Sequence, residues 1–291
     1  MNSRDTTSDA VGMVAGGGML PFCFAQGARQ HGVRVIAAAI NGEADPALEE
    51  EVDEIHWTGL ARLGQWIRIF RRAGVERAVL CGNITKTRMF DGWGGWSHLP
   101  DYRSARLWFK ELSSHEDHTI LDGVVEEFES SDITIESSIL YCRDLLAREG
   151  CLTRREPTEH EWDDIKFAWP RAKRLAEMQI GQSMVVKDGT VVAVEGIDGT
   201  DATLRRGGRL TGSGAVAVKL ARPDHDERFD IPCVGPKTIE AMADGGVGAL
   251  AIQAKNTLLL DREKTRRKAE RANISVVAID YSGPSGEDGD S

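Results

Sequence analysis

Val11-Gly12-Met13-Val14-Ala15-Gly16-Gly17-Gly18-Met19-Leu20-Pro21 decides the fold class. A short apolar run ends in consecutive glycines, and Leu20 to Gln30 then has helical content. Val33 to Ile40 follows, almost wholly apolar. Strand, turn, helix, strand is the opening of a parallel sheet, whose strands are buried on both faces and so read as continuous apolar runs. Consecutive glycines after such a strand let the backbone come close to an anion, and the next helix points its free N–H groups and positive dipole end at it. The same turn also serves as a plain tight connection.

The pattern continues outward from there. Leu60, Leu63, Ile67 and Phe70 recur at helical spacing, Gly74 follows as a stop, and Arg77 to Cys81 reads as another strand, running into Gly82-Asn83. Ligands of open α/β sheets lie outside the carboxyl ends of the strands, so the two glycine ends can border one crevice. A helix near Leu121 to Glu129 and an alternation at Asp132 to Ile135 complete the first half. Around Cys151 to Pro157 the chain turns polar and loses its period, which sets the expected domains at residues 1–150 and 158–282, with 283–291 a disordered tail.

The second half mixes strands and helices. Asp188-Gly189 between two β-rich runs predicts a hairpin. Further strands are expected at Ala215 to Leu220, Ala249 to Gln253, Leu258 to Leu260 and Ser275 to Ile279, with helices at Glu161 to Gln179, Pro236 to Ala243 and Arg262 to Ala272. The fold class is therefore α/β: a Rossmann-like parallel-sheet domain followed by a mixed α/β domain.

Composition narrows the function. The chain has 291 residues, enough for two cores, and a formal net charge of −10 from 36 basic and 46 acidic residues. The acids are spread through the chain, which leaves no basic stripe for nucleic acid. Five widely spaced cysteines, with no C-x-x-C pair, point to a reducing compartment and away from structural zinc. Nothing at the start resembles a secretion signal, and no apolar run approaches the roughly 20 residues of a membrane span. A cytoplasmic protein is expected, with contact at a membrane surface left open.

Two segments of the second half have the residue types for chemistry at a phosphate. In Gly196-Ile197-Asp198-Gly199-Thr200-Asp201 the acids and hydroxyl can offer oxygens to magnesium, or Asp201 can cap a helix running through Leu204. Between Lys219 and Thr238, charges of both signs surround Asp230, which stands between Phe229 and Ile231 as either a paired structural acid or a held catalytic one.

These segments, taken in order, resemble one family along nearly the whole chain: the metal-dependent UDP-2,3-diacylglucosamine pyrophosphatases of bacterial lipid A synthesis, the type unrelated to calcineurin-like phosphoesterases. The match rests on Ala15 to Pro21, Ala44-Asp45-Pro46, Gly82-Asn83, Gly181-Gln182, Val194-Glu195 through Thr200-Asp201 to Arg206, Arg228 to Pro232 with Gly235 and Thr238, and Leu260 to Glu263. The resemblance implies hydrolysis of the substrate's pyrophosphate to UMP and 2,3-diacylglucosamine 1-phosphate (lipid X), with Mg2+. The essential aspartate of the family falls on Asp230, catalytic and a metal ligand, with Asp201 a second oxygen donor. Substrate binding is expected from Gly16, Gly17, Gly18, Met19, Leu20, Pro21, Gly82, Asn83, Gln182, Thr200, Lys219 and Arg228. Peripheral contact with the inner membrane and a homodimer are compatible with the resemblance.

One departure stands out, and two rivals remain. Where the family has paired aspartates before an apolar helix, this chain has Asp117-His118, which puts the second acid's role in doubt. Trp93, Trp96, Leu99, Trp108 and Phe109 can cover acyl chains or pack a core. A nicotinamide-dependent oxidoreductase would use Glu43 or Asp45 on a ribose, although the G-x-G-x-x-G spacing is missing. A nucleotide-sugar sensor would bind without turnover.

Overall fold

The computed structural model describes residues 9–84, 100–111, 117–222, 226–229 and 231–280, with the side chains of 108–111 and 117–119 excepted. The chain divides into two compact units, Met1–Arg143 with Glu227–Phe229, and Asp144–Asp226 with Asp230–Ser291. The change of unit at Arg143 lies upstream of the polar stretch around Cys151.

The first unit runs β1 (Ala10–Ala15), α1 (Leu20–Gln30), β2 (Arg34–Ile40), β3 (Glu54–Thr58), α2 (Leu63–Arg72), β4 (Arg77–Cys81), α3 (Tyr102–Glu111), α4 (Asp117–Glu129) and β5 (Thr134–Ile135). Its five strands are all parallel, in the order β3-β2-β1-β4-β5. From β1 the chain builds outward through β2 and β3, then crosses to the other side for β4. The order therefore reverses between β1 and β4, and the crevice at the carboxyl ends of these two strands is the binding position of doubly wound sheets. Val11, Val14, Val35, Ile36 and Ala37 to Ala39 are buried, as a sheet covered on both faces requires.

Helix α2 buries Leu63, Trp66, Ile67 and Phe70 on one face. Phe70 stacks on Phe128 of α4 with ring centroids 6.1 Å apart, and Trp66 Nε1 donates to Thr58 Oγ1 at 2.7 Å. Asp101 fastens the start of two helices, accepting from Gln65 N at 3.2 Å and Ser104 N at 3.0 Å. The excursion Glu227–Phe229 returns to this unit because its groups find partners there. Glu227 O accepts from Ser138 N at 3.0 Å, its carboxylate takes Arg143 Nη2 at 2.6 Å, and Phe229 packs on the apolar cluster around Phe70.

The second unit contains β6 (Gly150–Cys151), α5 (Glu159–Glu177), β7 (Ser183–Lys187), β8 (Thr190–Val194), α6 (Gly199–Thr211), β9 (Ala215–Lys219), β10 (Cys233–Val234), α7 (Pro236–Gly245), β11 (Val247–Gln253), β12 (Leu258–Leu259), α8 (Arg262–Arg271) and β13 (Ser275–Ile279). Six strands form a mixed sheet in the order β6-β13-β11-β9-β7-β8, parallel from β13 to β9 and antiparallel at both margins. The β7–β8 hairpin closes through Asp188 and Gly189, both at positive φ, the conformation its Asp-Gly signal predicts. A separate pair, β10 and β12, is parallel.

Helix α5 is anchored at its N-terminus by a capping box between Thr158 and Glu161, and Arg155 grips the same carboxylate with two bonds of 2.7 and 3.0 Å. Burial pushes the Glu161 carboxyl upward, but the Arg155 and Thr158 hydrogen bonds outweigh it and hold the net value below the ordinary 4.5. A depressed folded-state value means the contribution is present above about 4.5 and lost as pH falls through the lower folded value. Arg155→Gln is expected to cost about 2 kcal/mol at neutral pH, because the carboxylate loses its cation in a largely buried site. Urea titrations at pH 7 and pH 4 check this: the gap between wild type and variant should narrow in acid.

Candidate functional site

Each unit brings a set of the expected residues together. In the first, the ends of β1 and β4 are clasped. Gly17 N donates to Asn83 O at 2.8 Å and Asn83 N to Gly17 O at 3.0 Å, while Gly16 N donates to Cys81 O at 2.8 Å. The two glycine ends thus border one place, as the crevice argument requires. The N–H groups of Gly16 and Gly17 are turned inward to protein acceptors. Those of Gly18, Met19 and Leu20 have no backbone partner among the described residues, and Gly18, Met19, Gly82 and Asn83 are exposed. The backbone donors facing outward are therefore the last part of the turn and the first turn of α1, where Pro21, having no N–H, sits comfortably.

This clasp needs its glycines. A Cβ on Gly16 would stand 2.6 Å from Asn83 O, and one on Gly82 would stand 2.6 Å from Gly17 O, backbone contacts that no side-chain rotation relieves. Gly82 also has φ +96°, which a side chain adopts only with strain. Gly82→Ala is expected to lower stability by about 2–3 kcal/mol, read as a shift in the urea midpoint. An unchanged midpoint would show that the clasp is not as close as described.

In the second unit, a corner of the mixed sheet gathers Gln182, Thr200 and Lys219. Lys219 ends the parallel strand β9 and pairs in the ladder with Ser183, the first residue of β7. Lys219 Nζ donates to Thr200 Oγ1 at 3.0 Å, Thr200 Oγ1 donates to Glu195 Oε1 at 3.0 Å, and Ser183 Oγ donates to Glu195 Oε2 at 2.6 Å. Gln182 joins through its backbone, whose N–H reaches Glu195 Oε2 at 3.4 Å and whose carbonyl accepts from Leu220 N at 2.9 Å. The direction of every bond is forced. An ammonium only donates, so Thr200 must accept from it and send its own hydrogen to the carboxylate, which only accepts. Among the described residues one of the three Lys219 N–H donors is taken up, by Thr200, and two remain to face an anion, beside the N-terminus of α6.

Glu195 is the residue that sequence reasoning passed over. It belongs to the matched segment Val194-Glu195, yet no role attached to it. The available signal was an acid closing an otherwise apolar strand, directly before a glycine-rich turn.

The remaining candidates fall elsewhere. Helix α6 begins at Gly199, so Asp198 holds the cap position and Asp201 lies within the first turn, which removes the capping alternative for Asp201. Asp198 binds Gly196 N at 3.2 Å and Arg206 Nη2 at 3.2 Å. Arg228 belongs to the excursion held by the first unit, its guanidinium 5.7 Å from the centre of the Phe229 ring. Asp45 accepts from Ala47 N at 3.0 Å and caps the short helix Pro46–Glu50, a structural task that weakens the ribose-binding alternative. Asp230, Trp93, Trp96 and Leu99 lie outside the described residues, as do the side chains of Trp108, Phe109, Asp117 and His118. None of the five cysteines is in a disulfide, and among the described residues no three His, Cys, Asp or Glu side chains gather as metal ligands.

Comparison with known proteins covers both units. The model of the LpxI N-terminal domain matches residues 10–145, and that of the LpxI C-terminal domain matches residues 148–277. A relative from Caulobacter vibrioides, the UDP-2,3-diacylglucosamine pyrophosphatase LpxI, is 27% identical over 280 residues, spanning 93% of this chain and 97% of its own.

Proposed function

The chain belongs to the LpxI family, and from that premise we propose that it hydrolyses the pyrophosphate bond of UDP-2,3-diacylglucosamine, releasing UMP and 2,3-diacylglucosamine 1-phosphate in lipid A synthesis. The observation that carries this reading beyond the family match is the Lys219–Thr200–Glu195 chain. A diphosphate concentrates negative charge that grows at the leaving phosphate as the bridging bond breaks, and an ammonium with two donors in hand is suited to meet it. The first unit is read as the Rossmann-like nucleotide half, because its exposed turn lies where the strand order reverses. There Gly18, Met19 and Leu20 N–H groups are assigned to the nucleotide phosphate, with Gly82 and Asn83 forming the facing edge.

In the reaction, a water oxygen forms a bond to one phosphorus while the bond from that phosphorus to the bridging oxygen breaks. The bridging oxygen leaves with the electron pair, and the water gives up a proton. Asp230 is assigned to orient that water. Magnesium is part of the proposal: it takes hard oxygen donors, one or two carboxylates with substrate phosphates completing its shell, and Asp201 and Asp230 offer that donor type. When bound it neutralises charge on the diphosphate. A cytoplasmic site of action is supported by the unbridged cysteines, and no helix among the described residues is long and apolar enough to cross a membrane.

The experiment is direct. Purified protein with magnesium and UDP-2,3-diacylglucosamine should yield UMP and the sugar 1-phosphate in equal amounts. Binding of the nucleotide sugar with no product would instead favour a sensor.

A further inference from the structure

We propose that the arginine face of α2, with the cleft it shares with the start of α3, docks the first unit onto an anionic phospholipid surface. Arg68, Arg71 and Arg72 stand at i, i+3 and i+4, one face of the helix, opposite the buried face of Leu63, Trp66 and Phe70. They line an open cleft of about 540 Å³ together with Tyr102 and Arg103. All three α2 arginines are exposed and have no ion pair among the described residues, whereas Arg103 and the nearby Arg106 are both taken up by Glu127. Asp101 is the one acid among the described lining residues, and its two oxygens already accept from Gln65 N and Ser104 N. Tyr102, 82% exposed, presents an amphipathic ring at the rim, the type of side chain that settles at a membrane interface.

Helix-dipole compensation explains a cation in the last turn. It accounts for Arg71 and Arg72 but not for Arg68, nor for Tyr102 contributed from α3. In a chain of net charge −10, three unpaired arginines on one face are a local reversal of sign. An anionic surface repels such a protein everywhere except at a face of this kind. The choice of a lipid surface rests on the proposed function, because a substrate with two acyl chains comes from a bilayer. It does not depend on turnover.

Each basic residue near an anionic membrane adds about fivefold to partitioning, so three give about a hundredfold. The test is co-sedimentation of the full chain with phosphatidylcholine vesicles and with vesicles containing about one-third phosphatidylglycerol, near 0.1 M salt, where screening still leaves contact-range attraction. Wild type should partition onto the anionic vesicles alone. The triple variant Arg68→Gln, Arg71→Gln, Arg72→Gln should lose about a hundredfold in partitioning, the corresponding triple lysine variant should keep it, and both should retain wild-type hydrolysis of detergent-dispersed substrate. Equal partitioning of the glutamine variant and wild type, or no preference of wild type for anionic vesicles, would overturn the proposal. Because vesicle binding is read without turnover, a chain that docks but releases no UMP would count against the hydrolase reading alone.

Discussion

Lys219→Ala is expected to lower kcat/KM for UDP-2,3-diacylglucosamine by about 10²–10³, the scale of losing one preorganised donor from a charge-stabilising site. The side chain is neither loose nor deeply buried. It leaves the end of β9 half-buried and is held at 3.0 Å from Thr200 Oγ1. Thr200 is itself held by Glu195, and Glu195 by Ser183. Each link removes rotational freedom that the ammonium would otherwise lose on meeting a phosphate. A graded series separates charge from placement. Thr200→Val keeps the ammonium and removes its guide, so the loss should be about tenfold. Lys219→Arg keeps the charge but substitutes a planar fork for a point charge, and should recover only part of the activity. Steady-state kinetics on the three variants reads the order. Equal rates for Lys219→Ala and wild type would remove this corner from the reaction.

Much of this arrangement is legible in the sequence. The apolar runs of β1, β2, β4, β9, β11 and β13 declared themselves because parallel strands covered on both faces leave little room for polar residues. The hairpin was legible through Asp188-Gly189, since few dipeptides accept positive φ twice in succession. Strand β3, Glu54-Ile55-His56-Trp57-Thr58, carries no such signature: its residues are mostly half-exposed, and it is a strand because it pairs with β2 at the sheet margin. Strands β6 and β10 have two residues each and exist only through their partners, whereas β12, equally short, lies inside the apolar run Leu258 to Leu260 that announces it. The return of Glu227–Phe229 to the first unit depends on where Phe229 finds apolar company. Spacing along the chain holds no record of that.

The site divides in the same way. Gly16 and Gly82 were visible as glycines after strands, but only the clasp shows which N–H groups turn inward. Thr200 and Lys219, nineteen residues apart, are joined because β7 lies beside β9 and α6 begins at the same corner. The capping alternative for Asp201 came from a turn with two aspartates three residues apart, where either can precede a helix. The arginines of α2 are dispersed in a chain whose overall charge is negative, and become a face only when the helix forms.

Asp230 carries the largest expected effect. It follows Phe229, the last residue of the excursion held by the first unit, and precedes the stretch leading to β10 in the second. The resemblance gives it the essential role, and the chemistry explains why a carboxylate suits it: attack on phosphorus needs a water held in line and a proton acceptor, which an amide of the same shape cannot supply. Asp230→Asn should therefore leave binding of UDP-2,3-diacylglucosamine within about threefold of wild type while turnover falls by about a thousandfold or more, roughly 4 kcal/mol in the barrier. The decisive measurement is UMP release with magnesium from wild type and Asp230→Asn side by side, with substrate affinity determined on both. Equimolar UMP and 2,3-diacylglucosamine 1-phosphate from wild type, with intact binding and almost no product from the variant, is the predicted result. Substrate bound by wild type without UMP, or full turnover by Asp230→Asn, would contradict it.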